Sequence, residues 1–250
     1  YDWAEPGSLK KRAFFLKVYK YAKHLIYPSQ MLAEWMESYY TTDTSKRIVI
    51  PHQISYNLSN QIDKSIKPPE FFDIKKFNIL HAGSLMKQRP PFLLIKAFNL
   101  FLTNNQDAKK NTQLIFIGGS YEGHKEAMQS LLNDNITNYD NYLAFETVFE
   151  LQKQTTINVV IEANSWFSPF LPGKIPHLVI ANKPILHIGP DKSETMRILG
   201  DNYTLHVPNH PKVEGVLAQK LKTAYDSWKN NEKLELDRPD LEEYLTSIKL

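Results

Sequence analysis

From Phe77 onward the chain alternates short apolar runs with segments of helical period, and that rhythm constrains its fold more than any other feature. Phe77-Asn-Ile-Leu-His81, Gln113-Leu-Ile-Phe-Ile-Gly118, Asn141-Tyr-Leu-Ala-Phe145 and Ile157-Asn-Val-Val-Ile-Glu-Ala163 read as strands, and a further strand ends at His187-Ile188. Helices are expected from Pro90 to about Leu102, near Glu122–Leu132 and near Phe149–Gln154. Pro90 falls near a first turn, where its missing N–H costs nothing. Strands alternating with helical segments imply βαβ units and a parallel sheet. Right-handed crossovers then give a doubly wound α/β sheet of about six strands.

The beginning of the chain has the same alternation but too little of it. Leu9 to Lys23 reads as a basic amphipathic helix, with Phe14, Phe15, Val18 and Tyr19 apolar and Lys10, Lys11, Arg12, Lys17 and Lys20 mostly opposite. His24–Tyr27 and Lys46–Ile50 are short strands, and Ser29 is placed to cap a helix from Gln30 to about Tyr39. This divides the chain into 1–60, the end of a first Rossmann-like domain; 61–75, a linker; 76–230, a complete Rossmann-like domain; and 231–250, a C-terminal helix returning toward the N-terminal part. The start without Met suggests a piece of something longer.

Composition excludes more than it selects. The 250 residues contain no cysteine, which rules out disulfides and thiolate metal sites. A net charge of +3 is too small to argue for nucleic acid, and no apolar run approaches a membrane span. With no signal peptide apparent at Tyr1-Asp-Trp, a cytoplasmic protein is expected. The basic face of the first helix, with Phe14 and Phe15 beside it, suits peripheral contact with an anionic membrane.

The run Ser168-Pro-Phe-Leu-Pro-Gly-Lys-Ile-Pro-His-Leu-Val-Ile-Ala-Asn-Lys-Pro-Ile-Leu186 follows a strand and reads as loop, short helix, turn and strand. A helix N-terminus there would aim unpaired N–H groups and a partial positive charge into a cleft, as phosphate sites do. Arg47-Ile-Val-Ile-Pro-His-Gln53 is a strand with a Pro turn, and Asn78-Ile-Leu-His-Ala-Gly-Ser-Leu85 a strand with a Gly turn. Together these segments resemble retaining glycosyltransferases of the GT-B fold, family 4 type. The resemblance implies a nucleotide-sugar donor, a saccharide or lipid-linked acceptor, no cofactor and no bound metal.

In that family an Arg in the Gly turn and a Lys later in the loop bind the donor diphosphate. Here Ser84 stands at the Arg position and Arg89 at the Lys position, so one cation of the pair is kept. The family's two Glu residues, which contact sugar and ribose, align with Pro169 and His177. Glu162 lies one strand-end upstream and is a candidate substitute for the missing carboxylate, though its spacing differs from the family's. The resemblance makes Gly83, Ser84, Arg89, Phe170, Leu171, Gly173, Lys174 and His177 the candidate donor-binding residues, and Phe145–Val148 the turn facing the base. It assigns no catalytic residue. Two other functions remain open: a non-catalytic nucleotide-sugar module, which the missing carboxylates favour, and a UDP-sugar epimerase of related fold. Gly118-Gly119-Ser120 has the wrong spacing for a dinucleotide fingerprint, and His206 and His210, flanking Pro208 in an expected loop, make no metal pair.

Overall fold

A computed structural model describes residues 9–40, 43–54 and 66–246. Much of the expected stretch around residue 60, together with both chain ends, lies outside these residues. The N-terminal part comprises α1 (Leu9–Tyr21), β1 (Leu25–Tyr27), α2 (Gln30–Tyr40) and β2 (Arg47–Val49). β1 and β2 pair in parallel as a separate two-stranded sheet. Phe15 and Val18 pack with buried Tyr19, Tyr27 and Ala33. Phe14 departs from the expected apolar face: it is 63 % exposed and shares the solvent side with Lys17 and Lys20.

The larger part runs β3 (Phe77–Ala82), α3 (Phe92–Asn104), β4 (Thr112–Ile117), α4 (Glu122–Gln129), β5 (Ile136–Tyr139), α5 (Phe145–Gln154), β6 (Ile157–Ile161) and β7 (Phe167–Ser168). It continues with α6 (Ile175–Ala181), β8 (Ile185–Ile188), β9 (Lys192–Ser193), α7 (Glu194–Leu199), β10 (His206–Val207), α8 (Glu214–Lys229) and α9 (Pro239–Thr246). Six strands form one parallel sheet in the order β10-β8-β6-β3-β4-β5, a doubly wound arrangement. Strand alternation sends Phe77 and Ile79 to the side of Phe98, Phe101, Leu221 and Tyr225 on α3 and α8. Leu80 points the other way, to Ile115 and Leu151. Beside that second layer, α6 and α9 close over Val160 and Ile185 through Leu178, Leu241 and Leu245.

One expected strand is misplaced. Asn141–Phe145 is not extended; the strand is β5, with Ile136 opposite Leu114. Asn141 N–H donates to Tyr139 O, and Tyr142 N–H to the Asn141 side chain, so this stretch turns. Helix then begins at Phe145, earlier than the expected Phe149, with Val148 N–H donating to Ala144 O. Ile136-Thr-Asn-Tyr139 holds the β-branched and aromatic residues that suit a pleated edge, while Asn141 favours a local turn.

The two parts meet at the N-terminus of α2. Ser29 Oγ accepts from Leu32 N–H at 3.3 Å, a side-chain cap, and donates to Pro169 O at 2.5 Å. Gln30 and Met31 N–H donate to the Glu194 carboxylate at 3.2 and 3.1 Å. Arg197 holds the same carboxylate through Nε and Nη2 at 3.0 and 2.8 Å. At the other end, Ile54 N–H donates to Leu245 O of α9.

Candidate functional site

Two pockets adjoin at the C-terminal ends of the central strands, and Lys174 lines both. Such a position is where ligands bind in open parallel sheets. The first pocket, about 290 Å³, lies over the ends of β3 and β4 and is lined by Gly83, Gly118, Tyr142, Phe145, Val148 and His177, among others. The second, about 250 Å³, lies over the end of β6, between Arg89 and the loop from Ser168 to Gly173, with Glu162 in its wall.

Two glycines open the space between them. Gly83 has φ +142° and Gly118 φ +123°, both left-handed and costly for any other residue. A β-carbon on Gly83 would stand 2.8 Å from Lys174 Nζ. One on Gly118 would stand 2.8 Å from the carbonyl carbon and oxygen of Gly83. The ammonium of Lys174 is thus laid along bare backbone. Burial, and secondarily the Arg89 guanidinium, pushes its pKa down to about 7. A cation held near a second cation, with no ion pair to a carboxylate among the described residues, is poised to accept an anion.

Beneath this point His81 is buried on β3, its Nδ1 3.2 Å from Val159 O. Burial, then the charges of Lys174 and Arg89, keeps its pKa well below the usual histidine value, so the ring is neutral at pH 7. His177 packs edge-on against Phe145, ring centroids 4.9 Å apart. Burial lowers its pKa as well, so it faces the first pocket as a neutral donor and acceptor.

The candidate residues fall into three groups. Gly83, His177 and Lys174 share the first pocket; Arg89, Phe170, Leu171, Gly173 and Lys174 share the second. Ser84 lines neither and sits exposed at the rim, where its Oγ lies 3.2 Å from the Tyr142 hydroxyl. Leu171 is 3 % exposed, and its side chain belongs to the core beneath α6. The expected cluster of free helix N–H groups is reduced. Ile175 N–H donates to Pro172 O and Pro176 has none, while the helix's first internal bond runs from Leu178 N–H to Lys174 O. The sequence reading put Tyr142 in a strand and Gly118 in a turn without dinucleotide spacing, and named neither as a site residue. A Gly closing β4 as Gly83 closes β3 was the available signal for the latter. His206 lies in β10 rather than a loop, bonded to His187 and Asp191.

The same architecture occurs in solved structures. Alr3699/HepE of Anabaena, solved in complex with UDP-glucose, matches with a TM-score of 0.69 at 13 % identity, over 98 % of this chain and 66 % of that one. This chain has the GT-B fold. The GT-B likeness extends to the pneumococcal O-GlcNAc transferase GtfA, in complex with UDP and GlcNAc, with a TM-score of 0.63 and 14 % identity over 94 % of this chain and 44 % of that. A glycosyltransferase from Rickettsia africae matches with a TM-score of 0.63 and 13 % identity over 96 % of this chain and 67 % of that. The chain therefore spans less than two thirds of HepE and of GtfA. No family model matches the sequence, and no curated protein sequence is significantly similar to it.

Proposed function

We propose that this chain is the donor-binding part of a glycosyltransferase that moves a sugar from a nucleotide-sugar to an acceptor hydroxyl. The observation that carries the reading is the Lys174 ammonium lying on Gly83 between two pockets of different character. The aromatic pocket of Tyr142, Phe145 and His177 suits a base and ribose. The pocket of Arg89, Glu162 and the Ser168–Gly173 loop suits a sugar. The diphosphate then lies between them, on Lys174, with Arg89 across from it.

As the bond from the sugar to the diphosphate breaks, negative charge grows on the departing phosphate. Lys174 and Arg89 stabilise that charge from fixed positions, which is where electrostatic catalysis is strongest. The nucleotide-sugar is a substrate, and the reading requires no further cofactor and no metal. By the family resemblance the transfer retains configuration and serves polysaccharide or glycoconjugate synthesis, with a saccharide or lipid-linked acceptor. In the family the resemblance points to, an N-terminal domain completes the acceptor side, so by this reading the 250 residues bind donor better than they turn it over.

No helix among the described residues is long and apolar enough to cross a membrane. We place the protein in the cytoplasm, with the exposed Lys11, Arg12, Lys17, Lys20 and Phe14 of α1 meeting anionic lipid. A second reading, a nucleotide-sugar module without turnover, is favoured by Pro169 and His177 at the family's Glu positions. Mass spectrometry of a nucleotide-sugar panel incubated with the protein and candidate acceptors separates the two. Transferred sugar supports the enzyme, donor binding without transfer supports the module, and no binding of any nucleotide overturns both.

A further inference from the structure

Behind the second pocket a hydrogen-bonded chain runs from a buried carboxylate to the protein surface. Glu162 follows β6, is 3 % exposed, and its Oε1 lies 3.0 Å from His187 Nε2 and 2.5 Å from Thr195 Oγ1, which donates to it. On the far side of the His187 ring, Nδ1 faces Nδ1 of His206 at 3.0 Å, the two rings stacked with centroids 4.9 Å apart. His206 Nε2 in turn lies 2.8 Å from Asp191 Oδ1, whose side chain is 78 % exposed. The register of β8 on β10 sets the two histidines opposite each other.

The protons of this chain can be counted. Three contacts run in series, Glu162–His187, His187–His206 and His206–Asp191, and each needs one N–H. Two neutral imidazoles carry one ring proton each. The chain is therefore complete only with one extra proton, as Glu162⁻, an imidazole, an imidazolium and Asp191⁻. With that proton lost, one contact sets acceptor against acceptor. No proton transfer to substrate is implied; the extra proton comes from water and returns to it.

We infer that Glu162 is the carboxylate that grips the donor sugar, and that His187, His206 and Asp191 are positioning residues holding it through their shared proton. The inference rests on the donor reading above and deepens it. A sugar presents mainly hydroxyl donors, and among the residues lining the second pocket Glu162 is the anionic acceptor. A carboxylate has about four acceptor sites. His187 and Thr195 take two on Oε1, and Ser168, itself in the pocket wall, also donates to the group. Burial alone would raise the carboxyl's pKa, but the bonds from His187, Ser168 and Thr195 outweigh it and keep Glu162 ionised. The charged groups around the chain are Arg89 and Lys174 across the pocket, and Glu194 of α7, which is already engaged by Arg197 and the α2 amides.

Calorimetry with UDP and UDP-glucose tests this. Glu162→Gln is expected to weaken UDP-glucose roughly tenfold, the loss of one hydrogen bond to a charged group, while leaving UDP unchanged. UDP binding also reports that the variant is folded. Equal weakening of both ligands, or no change in either, overturns the inference. A wild-type chain that binds neither overturns the donor reading itself, which is a distinct result. For the positioning residues the readout is pH. In the wild type the excess affinity for UDP-glucose over UDP falls as pH rises through the titration of His206, which burial holds below the ordinary histidine value. Asp191→Asn, at an exposed side chain, removes an anion that favours the extra proton, and the midpoint is expected to move to lower pH. An unmoved midpoint with unchanged affinity overturns the positioning role.

Discussion

Lys174 Nζ lies 2.8 Å from the point where a β-carbon on Gly83 would stand. The missing side chain at Gly83 is what lets the ammonium sit at the junction of the two pockets. The backbone there has φ +142°, which suits glycine and strains other residues.

The proximity makes binding pH-dependent. In the free protein Lys174 titrates near 7, and a bound diphosphate raises that value by favouring the ammonium. Affinity is therefore fully present below about 7 and falls as pH rises, approaching tenfold per unit until the bound-state value is reached. UDP-glucose is the probe, because its diphosphate is esterified at both ends. Calorimetry between pH 6 and pH 9, in buffers of different ionisation enthalpy, should show this decline together with proton uptake near pH 8. Lys174→Met should abolish both, and a flat profile in the wild type would place the diphosphate elsewhere.

Arg89 shares the second pocket with Lys174, and its amide is fixed by Met86 O at 2.8 Å. Arg89→Ala is expected to weaken UDP roughly ten- to a hundredfold, through loss of a charge-assisted contact of about 1.5–3 kcal/mol. Arg89→Lys should lose less, since the charge stays and only the bidentate fork goes. Equal affinities for the three proteins would refute this.

Gly118 has its own steric requirement. Its φ is +123°, and an added β-carbon would stand 2.8 Å from Gly83 backbone atoms, which cannot rotate aside. Gly118→Ala is expected to cost about 1–3 kcal/mol of stability from the backbone conformation alone. It should also displace the Gly83 turn and so weaken nucleotide binding. Thermal unfolding and UDP titration read the two effects separately; an unchanged melting temperature would contradict the argument.

Glu194 joins the two parts of the chain. It is fully buried and satisfied by the Gln30 and Met31 amides and by Arg197. Glu194→Ala uncaps α2 and frees an Arg197 side chain that already reaches solvent, so a loss of about 1–3 kcal/mol is expected. The first signal should be faster proteolysis or hydrogen exchange within 25–49 than within the six-stranded sheet. Uniform protection across both would show that the carboxylate does not couple them.

The parallel sheet was legible because mostly apolar strands such as Phe77–Ala82 and Ile157–Ile161 alternate with segments of helical period, a pattern that belongs to βαβ units. Ser29 was legible as a cap, because that role depends on residues within one turn of it. The edge strand was not. Ile136–Tyr139 is only partly buried, and its pairing with Leu114–Ile117 is a non-local matter that no local pattern announces. The candidate site divides the same way. Gly83 and the 168–186 run carry their own turn and helix signals, so their place at strand ends could be read. That Lys174 lies on Gly83, that Glu162 is tied to Asp191 through two histidines, and that Glu194 caps a helix far from it in sequence were decided only by folding. Each is a contact between segments distant along the chain. The sheet's strand order sets these distances, and residue identities constrain that order only through packing of the whole domain.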